Sequence, residues 1–341
     1  MRMARLKADG NDAVAHYHCI SRVVERRFAL GPDEKEHFIR LMRGYEAFCG
    51  VRVVTFCVLS NHFHALVEVP KRPPTDQLPD DRELVRRVRV AGYSYDPATL
   101  SQNLKRFHDE GHDADAEQLR ERFFARMWDI SWFLRLLKQR FTQWINSTTG
   151  RTGTLWEGRF RSVLVEGAGQ ALATIAAYID LNPIRAGIVS DPKDYRWGGY
   201  AEAVGGGRLA RKGLRIAVQA RLGRQVSPKR VMATYRSFLF ESGQAREAGR
   251  HGHRGRRGFS AEQIQEVLDK GGELELADAL RCRVRYFCDG AVLGSRAFVE
   301  RCFQTHRQWF GAKRTTGARR MKGINAPGLF VARALETRVF G

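Results

Sequence analysis

Two histidines spaced two residues apart form the first group in this chain that could bind a metal. His62 and His64 stand in Asn-His-Phe-His at 61–64, inside an apolar run at 51–69. Alternate side chains of a β-strand lie on opposite faces, so both imidazoles would point the same way, roughly 7 Å apart along the strand. Neutral imidazole is a common metal ligand, and the pair therefore predicts a metal site. The alternative is two histidines that only occupy the surface or the edge of a sheet.

A second pair with the same spacing competes with the first. His16 and His18 lie on the strand predicted at the start of the chain. Spacing alone does not decide between the two pairs. Because no downstream partner for the second pair is evident, we interpret it as structural.

Tyr178 is the candidate nucleophile. Tyr178 and Asn182 are four residues apart, so they would share a helix face with Cβ atoms about 5–6 Å apart. A tyrosine can attack phosphorus, but its ordinary pKa near 10 makes it slow unless a cation assists. A nearby metal could polarise the phosphate, and Asn182 could supply a carbonyl oxygen as third ligand. The alternative is a core tyrosine whose hydroxyl bonds to the backbone.

The elements that must position these groups follow from hydrophobic periodicity. Strands are predicted at 15–24, 51–59, 63–69 and 160–166. Helices are predicted at 33–49, at 116–147 as one long helix or two, and at 172–179. The order β-α-β-β-α-β-α predicts an α+β fold, a ferredoxin-like four-stranded antiparallel sheet covered by helices on one face. The His62–His64 strand would be an inner strand of that sheet.

Changes in composition divide the chain into further regions. Residues 1–204 would form the first domain, with a Pro-rich and charged stretch at 71–115 as a partly mobile surface insertion. A helical extension is predicted at 205–242 and a basic linker at 243–258. Residues 259–341 are predicted to be a helical, basic, DNA-binding C-terminal region.

The charge of the chain points to a polyanionic partner. The 341 residues include 58 Lys and Arg against 37 Asp and Glu, a net charge of +21. Nucleic acid fits this charge because phosphate contacts draw Lys and Arg. The sequence contains no run of about 18 apolar residues, so no membrane span is predicted, and no signal peptide is evident. The six cysteines form no C-x-x-C pair, so we expect a cytoplasmic, nucleoid-associated protein without disulfides.

Three motifs in order resemble the REP-associated tyrosine transposases. They are Asn-His-Phe-His at 61–64, Leu-Trp-Glu-Gly-Arg-Phe-Arg-Ser at 155–162 and Tyr-Ile-Asp-Leu-Asn-Pro-Ile-Arg-Ala-Gly at 178–187. The opening strand, Tyr-His-Cys-Ile-Ser-Arg at 17–22, is also similar to the start of that family. The resemblance covers about residues 15–200. These transposases are single-tyrosine members of the superfamily named for its His-hydrophobe-His motif.

The resemblance implies a single-stranded DNA endonuclease and strand transferase. His62 and His64 would hold Mg²⁺ or Mn²⁺, with Asn182 as third ligand, although some relatives carry Gln near that point. Tyr178 would attack a DNA phosphate, keep the 5′-phosphate covalently and release a 3′-hydroxyl. The DNA partner would be an imperfect palindrome that folds into a hairpin, with a short guide sequence beside the stem. The protein would act as a monomer or homodimer.

Basic and aromatic residues near the motifs are candidate DNA contacts, since phosphate contacts position DNA and aromatic rings stack on unpaired bases. They are Arg22, Lys138, Arg151, Trp156, Arg159, Arg161 and Arg185. Each basic residue could equally belong to a solvated basic face, and Trp156 could belong to the core.

Three other functions remain open at this stage. A DNA-binding protein or repressor could retain the sheet and no longer cut DNA. A rolling-circle initiator or relaxase of the same superfamily would use related histidines, but no helicase motif and no tyrosine pair is evident. A simple metallohydrolase would not need Tyr178.

Overall fold

The chain folds around one twisted sheet with helices on both faces. The computed structural model describes residues 2–3, 6–8, 12–92, 95–241, 274–280, 284–333 and 337–338. The strands of the central sheet, in chain order, are β1 (Val14–Arg22), β2 (Arg52–Val58), β3 (His62–Pro70), β4 (Arg161–Val165), β5 (Val292–Gly294) and β6 (Phe330–Ala332). Two short strand pairs, Arg2–Met3 with Thr337–Arg338 and Leu274–Glu275 with Ile324–Asn325, lie outside this sheet.

The helices carry the labels α1 to α13 in chain order. They are α1 (Pro32–Cys49), α2 (Asp81–Ala91), α3 (Pro97–Asp109), α4 (Asp113–Phe124), α5 (Ile130–Thr149), α6 (Gln170–Asp180), α7 (Asn182–Arg185), α8 (Gly199–Val204), α9 (Arg208–Leu222), α10 (Pro228–Glu241), α11 (Leu276–Ala279), α12 (Arg285–Asp289) and α13 (Arg296–Thr305). Short 3₁₀ turns stand at Val24–Arg26, Thr75–Gln77, Pro192–Asp194 and Arg307–Trp309.

The strand order of the central sheet is β2-β3-β1-β4-β5-β6, and every pair is antiparallel except β4 with β5. The mixed α+β prediction is confirmed, and the histidine strand β3 is an inner strand, between β2 and β1. The sheet has six strands where the sequence predicted four. The additional strands, β5 and β6, come from the C-terminal region that was predicted to be helical.

Period-two alternation gives each face of the sheet its own core. Tyr17 and Phe63 face a cluster formed with α1, α2 and α5, whereas Ile20 and Leu66 face a cluster formed with α6, α9 and α10. Helices therefore cover both faces, and the prediction that they cover one face is wrong. On the second face, α9 lies directly against the sheet at Gly213, where a Cβ atom would stand 2.3 Å from the Val54 carbonyl oxygen.

The region predicted as a surface insertion carries part of the first core. Helices α2 and α3 lie within it and bury Leu84, Val88, Leu100 and Leu104. Asp80 caps α2 by accepting a bond from the Glu83 backbone N–H. The prediction of a partly mobile surface insertion at 71–115 did not include these two buried helices.

The segment predicted at 116–147 as one long helix or two forms two helices. Helix α4 ends before Trp128, which has a left-handed backbone (φ 53) and donates its N–H to the Cys49 carbonyl oxygen. Helix α5 then begins at an Asp129 cap.

The C-terminal part is integrated with the rest of the fold where the structure describes it. The basic linker predicted at 243–258 lies outside the described residues. Of the region predicted to be helical at 259–341, the described residues include the helices α11, α12 and α13. In the part of the chain that is described, no helix is long and apolar enough to cross a membrane.

Candidate active site

The two histidines of β3 lie on the face of the sheet that α6 covers. Their ring centroids are 5.2 Å apart, and the rings are nearly perpendicular. His62 stands opposite Arg22 of β1 and is half-buried, whereas His64 stands opposite Ile20 and is only 3% exposed. The predicted common face of the pair is therefore present.

The side chain of Asn61 fixes the proton position on His62. The Asn61 amide nitrogen donates to the Arg26 carbonyl oxygen at 3.1 Å, which turns the amide oxygen toward His62 Nδ1 at 2.6 Å. Because an amide oxygen can only accept, His62 Nδ1 carries the hydrogen. The lone pair of the neutral ring therefore lies on Nε2.

His18 fixes the proton position on His64 in the same way. His18 Nδ1 donates to the Phe287 carbonyl oxygen at 2.8 Å, so its Nε2 is the acceptor in the neutral ring. That Nε2 lies 2.9 Å from His64 Nδ1, which must donate. His64, like His62, is thereby left with its lone pair on Nε2. Hydrogen bonds of this kind orient metal-binding histidines in general.

Burial keeps these inner histidines neutral. It lowers the pKa of His18 to about 4, against the opposing effect of the Phe287 carbonyl. It also lowers the pKa of His64 well below its ordinary value, and the nearby His18, His62 and Arg185 lower it further. Neutral imidazole is the form that binds a metal, so the ring chemistry fits a divalent cation.

Tyr178 lies against the histidines. It is near the end of α6, only 2% exposed, with its ring centroid 6.2 Å from those of both His64 and His18. The Arg185 guanidinium lies over the ring, 3.9 Å from its centroid, and donates to the Tyr178 carbonyl oxygen. A cation in this position stabilises negative charge on the phenol or on a phosphate beside it.

Asn182 is four residues beyond Tyr178 and is buried. Its amide nitrogen donates to the Tyr178 carbonyl oxygen at 3.5 Å, a long bond within its own helical segment. The role of third metal ligand therefore stays a prediction for Asn182. Among the described residues, no group of three or more His, Cys, Asp or Glu side chains is arranged to hold a metal ion.

Helix α12 covers the site from the C-terminal region. The Phe287 carbonyl accepts from His18, and the Cys288 sulfur lies 3.2 Å from the Tyr178 hydroxyl. Asp289 pairs with Arg161 at 2.5 Å. In this conformation the Tyr178 hydroxyl is therefore covered by α12.

A buried carboxylate anchors the helix that carries Tyr178. Asp180 accepts bonds from Thr55 of β2 at 2.6 Å, from Tyr235 of α10 at 2.5 Å and from the Tyr200 backbone N–H at 3.3 Å. Burial raises the pKa of Asp180 to about 7 in spite of these donors. The network ties α6 to the sheet and to α10 at a point two residues from Tyr178.

Removing one donor of this network should destabilise the fold. We expect Tyr235→Phe to lower the free energy of unfolding by about 1–3 kcal/mol, because it leaves a buried carboxylate oxygen without its donor. The control is Tyr95→Phe, which removes a half-buried hydroxyl that accepts from Asn103, and we expect a change within about 0.5 kcal/mol. Urea unfolding of both variants measures the difference. Equal stability of Tyr235→Phe and the unmodified protein would contradict the anchoring role.

Two of the arginines predicted to contact DNA lie at the site. Arg22 ends β1 opposite His62. Arg185 lies over Tyr178, and its second nitrogen donates to the Leu280 carbonyl oxygen at 2.6 Å. Arg185 therefore holds the tyrosine in place as well as supplying charge.

Two other predicted DNA contacts lie in the interior. Lys138 is buried and donates to the Gly158 carbonyl oxygen at 2.7 Å. Trp156 is 4% exposed, donates to the Lys138 carbonyl oxygen and packs against Phe38 and Phe63. The alternative of a core tryptophan fits Trp156, because a buried ring presents no face to a base.

The remaining predicted DNA contacts are at the surface. Arg159 is exposed in the loop before β4. Arg161 is exposed and paired with Asp289 of α12. Arg151 is half-buried just after α5.

Comparison with known proteins leaves the family undecided. No protein-family model matches the chain, and no curated protein matches it significantly. A solved structure that is similar to it is that of the REP-associated tyrosine transposase bound to a REP hairpin. The two are 14% identical, the match covers 60% of this chain and 87% of that chain, and the TM-score is 0.36. Similarity at this level does not decide the function, and membership of the family stays a prediction.

Sequence reasoning missed two parts of the site, His18 and helix α12. His18 was interpreted as structural with His16, yet it bonds directly to His64. Helix α12 had been assigned to a separate DNA-binding region. The register of β1 against β3 puts His18 beside His64, whereas His16 lies further along, 3.4 Å from Glu68, and the sequence alone carries no signal for this difference.

Proposed function

We propose that this protein is a metal-dependent nuclease and strand transferase that cleaves single-stranded, hairpin-forming DNA through Tyr178. One observation carries the proposal. Tyr178 packs against His64, His64 lies next to His62 on one face of β3, and the Nδ1 hydrogens of the two histidines are fixed by His18 and Asn61, so that both Nε2 lone pairs suit a cation. A core tyrosine without a catalytic role needs no such neighbours.

The reaction would be a transesterification. The Tyr178 oxygen forms a bond to phosphorus, and the bond from phosphorus to the 3′-oxygen breaks. The phenol proton is lost, and the departing 3′-oxygen takes up a proton, so that no external reductant or oxidant is needed. Tyr178 retains the 5′-phosphate, and reversal with another 3′-hydroxyl joins strands.

Several residues of the site would have separate roles in this reaction. His62 and His64 would hold Mg²⁺ or Mn²⁺, which polarises the phosphate when bound, and Asn182 or water would complete the ligands. Arg185 stabilises the negative charge beside the tyrosine. Arg22, at the edge of the site, would bind a neighbouring phosphate.

The position of α12 favours a second candidate function. With Cys288 against the Tyr178 hydroxyl, the described conformation does not admit DNA to the nucleophile. A DNA-binding protein or repressor that no longer cuts would keep the same basic charge and the same sheet. A nuclease would require α12 to leave the site when DNA binds.

A cleavage experiment separates the two functions. We expect the full chain with Mn²⁺ to form a covalent adduct with labelled single-stranded hairpin DNA, visible on a denaturing gel. A perfect duplex of the same sequence should give little adduct, because its phosphates are held in a regular helix. Hairpin binding without any adduct would support the non-cleaving alternative.

Binding itself should depend steeply on salt. The net charge of +21 implies many phosphate contacts, and each one releases a counterion from DNA. We expect the affinity for the hairpin to fall by about 10³-fold or more between 50 and 200 mM salt, if at least six phosphates are contacted. Fluorescence anisotropy at several salt concentrations measures the slope. An affinity that does not change with salt would contradict a DNA-binding role.

A further inference from the structure

Phe28 is an exposed aromatic residue in the loop between β1 and α1. It is 84% exposed, the most exposed large hydrophobic residue in the part of the chain that the structure describes. A single exposed apolar residue needs no explanation in general. The loop that carries Phe28, residues 24–30, gives this one a defined position.

The loop is fixed to the turn that precedes the histidine strand. The Leu30 N–H donates to the Ser60 carbonyl oxygen at 2.9 Å, and the Asn61 amide nitrogen donates to the Arg26 carbonyl oxygen at 3.1 Å. The same Asn61 side chain accepts from His62. The loop that carries Phe28 is thus anchored at Asn61, the residue next to His62.

The backbone holds the loop in an uncommon conformation. Glu25 and Arg26 both have left-handed φ values, 56° and 55°, which are rare for residues other than glycine. Strained backbone of this kind persists only where surrounding contacts hold it, and it occurs most often at functional sites. The loop therefore presents Phe28 to solvent without the cover of neighbouring side chains.

The charged residues around Phe28 favour single-stranded nucleic acid as its ligand. Arg26 and Arg27 precede Phe28 and are exposed, Arg27 pairs with Glu25, and Arg22 lies at the end of the adjoining strand. An aromatic ring next to arginines suits an unpaired nucleobase followed by its phosphates, since every base has a face that can stack. Bases inside a duplex have their faces covered and do not suit it.

We propose that Phe28 is a stacking platform for one unpaired base of the strand that enters the active site. This inference rests on the proposed function in that the strand is taken to be the one that Tyr178 cleaves. Stacking on this loop, which is bonded to Asn61, would hold the single-stranded segment next to the hairpin and set which phosphate reaches the site. The ligand is single-stranded nucleic acid, and the recognition of the base face is independent of its sequence.

The test measures binding of the full chain to three DNA probes. The probes are a hairpin with a single-stranded flank on either side, the same hairpin without flanks, and a blunt duplex. We expect Phe28→Ala to weaken binding of the flanked hairpin by about 5- to 100-fold, the range of one lost stacking contact. Binding of the other two probes should stay unchanged. Phe28→Trp should restore the affinity, and Phe28→Leu should not, because only the former retains an aromatic face.

A second readout locates the stacked base. 2-Aminopurine placed at successive flank positions should show quenching at one position in the unmodified protein and lose it in Phe28→Ala. The control Val90→Ala removes another exposed apolar residue, on α2, and should change neither readout. Circular dichroism of each variant confirms that the fold is retained.

The outcomes separate this inference from the proposed function. Unchanged affinity of Phe28→Ala for the flanked hairpin, or an equal loss on the blunt duplex, would overturn the stacking role even if the unmodified protein forms the Tyr178 adduct. A Phe28-dependent preference for the flanked hairpin without any adduct would uphold stacking and contradict cleavage.

Discussion

The Tyr178→Phe variant is expected to form no covalent adduct with hairpin DNA and to cleave none. The substitution removes one oxygen, the only atom of this residue that can attack phosphorus. The ring can keep its place between Arg185 and the histidine rings, so the fold and the hairpin affinity should be close to those of the unmodified protein. A denaturing gel measures the adduct, and anisotropy measures the binding.

A second buried tyrosine provides the matched control. Tyr195 is as well buried, and its hydroxyl donates to the Val58 carbonyl oxygen at 2.7 Å. Tyr195→Phe should lose a comparable hydrogen bond and still form the adduct. Adduct formation by Tyr178→Phe at the level of the unmodified protein would mean that another residue is the nucleophile.

The common face of His62 and His64 could be predicted from the sequence because it depends on local geometry alone. Once the apolar run at 51–69 is interpreted as strands, period two puts both imidazoles on one side. The same reasoning applies to His16 and His18, which share a face on β1. Only the register, with His64 opposite Ile20 and His18 opposite Leu66, puts His18 beside His64 and leaves His16 further away. Strand register depends on tertiary structure and cannot be inferred from a single sequence.

The covering of the site by α12 could not be predicted for a related reason. Cys288 meets Tyr178 across 110 residues of chain, and Phe287 meets His18 across 269. Contacts over such separations depend on how β5 adds to the sheet beside β4, and β5 has only three residues. A strand so short has no periodicity from which to infer it.

The helices of the 71–115 stretch were missed although a local signal was present. Prolines and dense charges indicated a partly mobile surface insertion. Between them, Leu84, Val85 and Val88 have helical spacing behind an Asp80 cap, which is a pattern typical of an amphipathic helix. The proline and charge content of the whole stretch had been given more weight than the helical spacing of its apolar residues.

Replacing either histidine of β3 is expected to remove metal-dependent cleavage. His62→Ala is the cleaner variant, because His62 is half-buried at the edge of the site and its loss should leave the core intact. A single imidazole, even with Asn182 and water, holds a hard divalent cation poorly, so cleavage in Mn²⁺ should fall to background. His64→Ala should have the same effect on cleavage with an added loss of stability, since His64 is buried and bonded to His18.

Replacing His18 should have an intermediate effect on metal-dependent cleavage. His18 holds His64 in the ring form that offers Nε2, and loss of such a supporting bond typically costs 10- to 100-fold in metal affinity or activity. We therefore expect His18→Ala to cleave at raised Mn²⁺ concentration, whereas His62→Ala should not cleave at any concentration. His16→Ala, on the same strand but beside Glu68, should titrate with Mn²⁺ like the unmodified protein. Calorimetric titration with Mn²⁺ in the absence of DNA measures the binding directly, and a His62→Ala protein that binds and cleaves normally would remove the histidine pair from the mechanism.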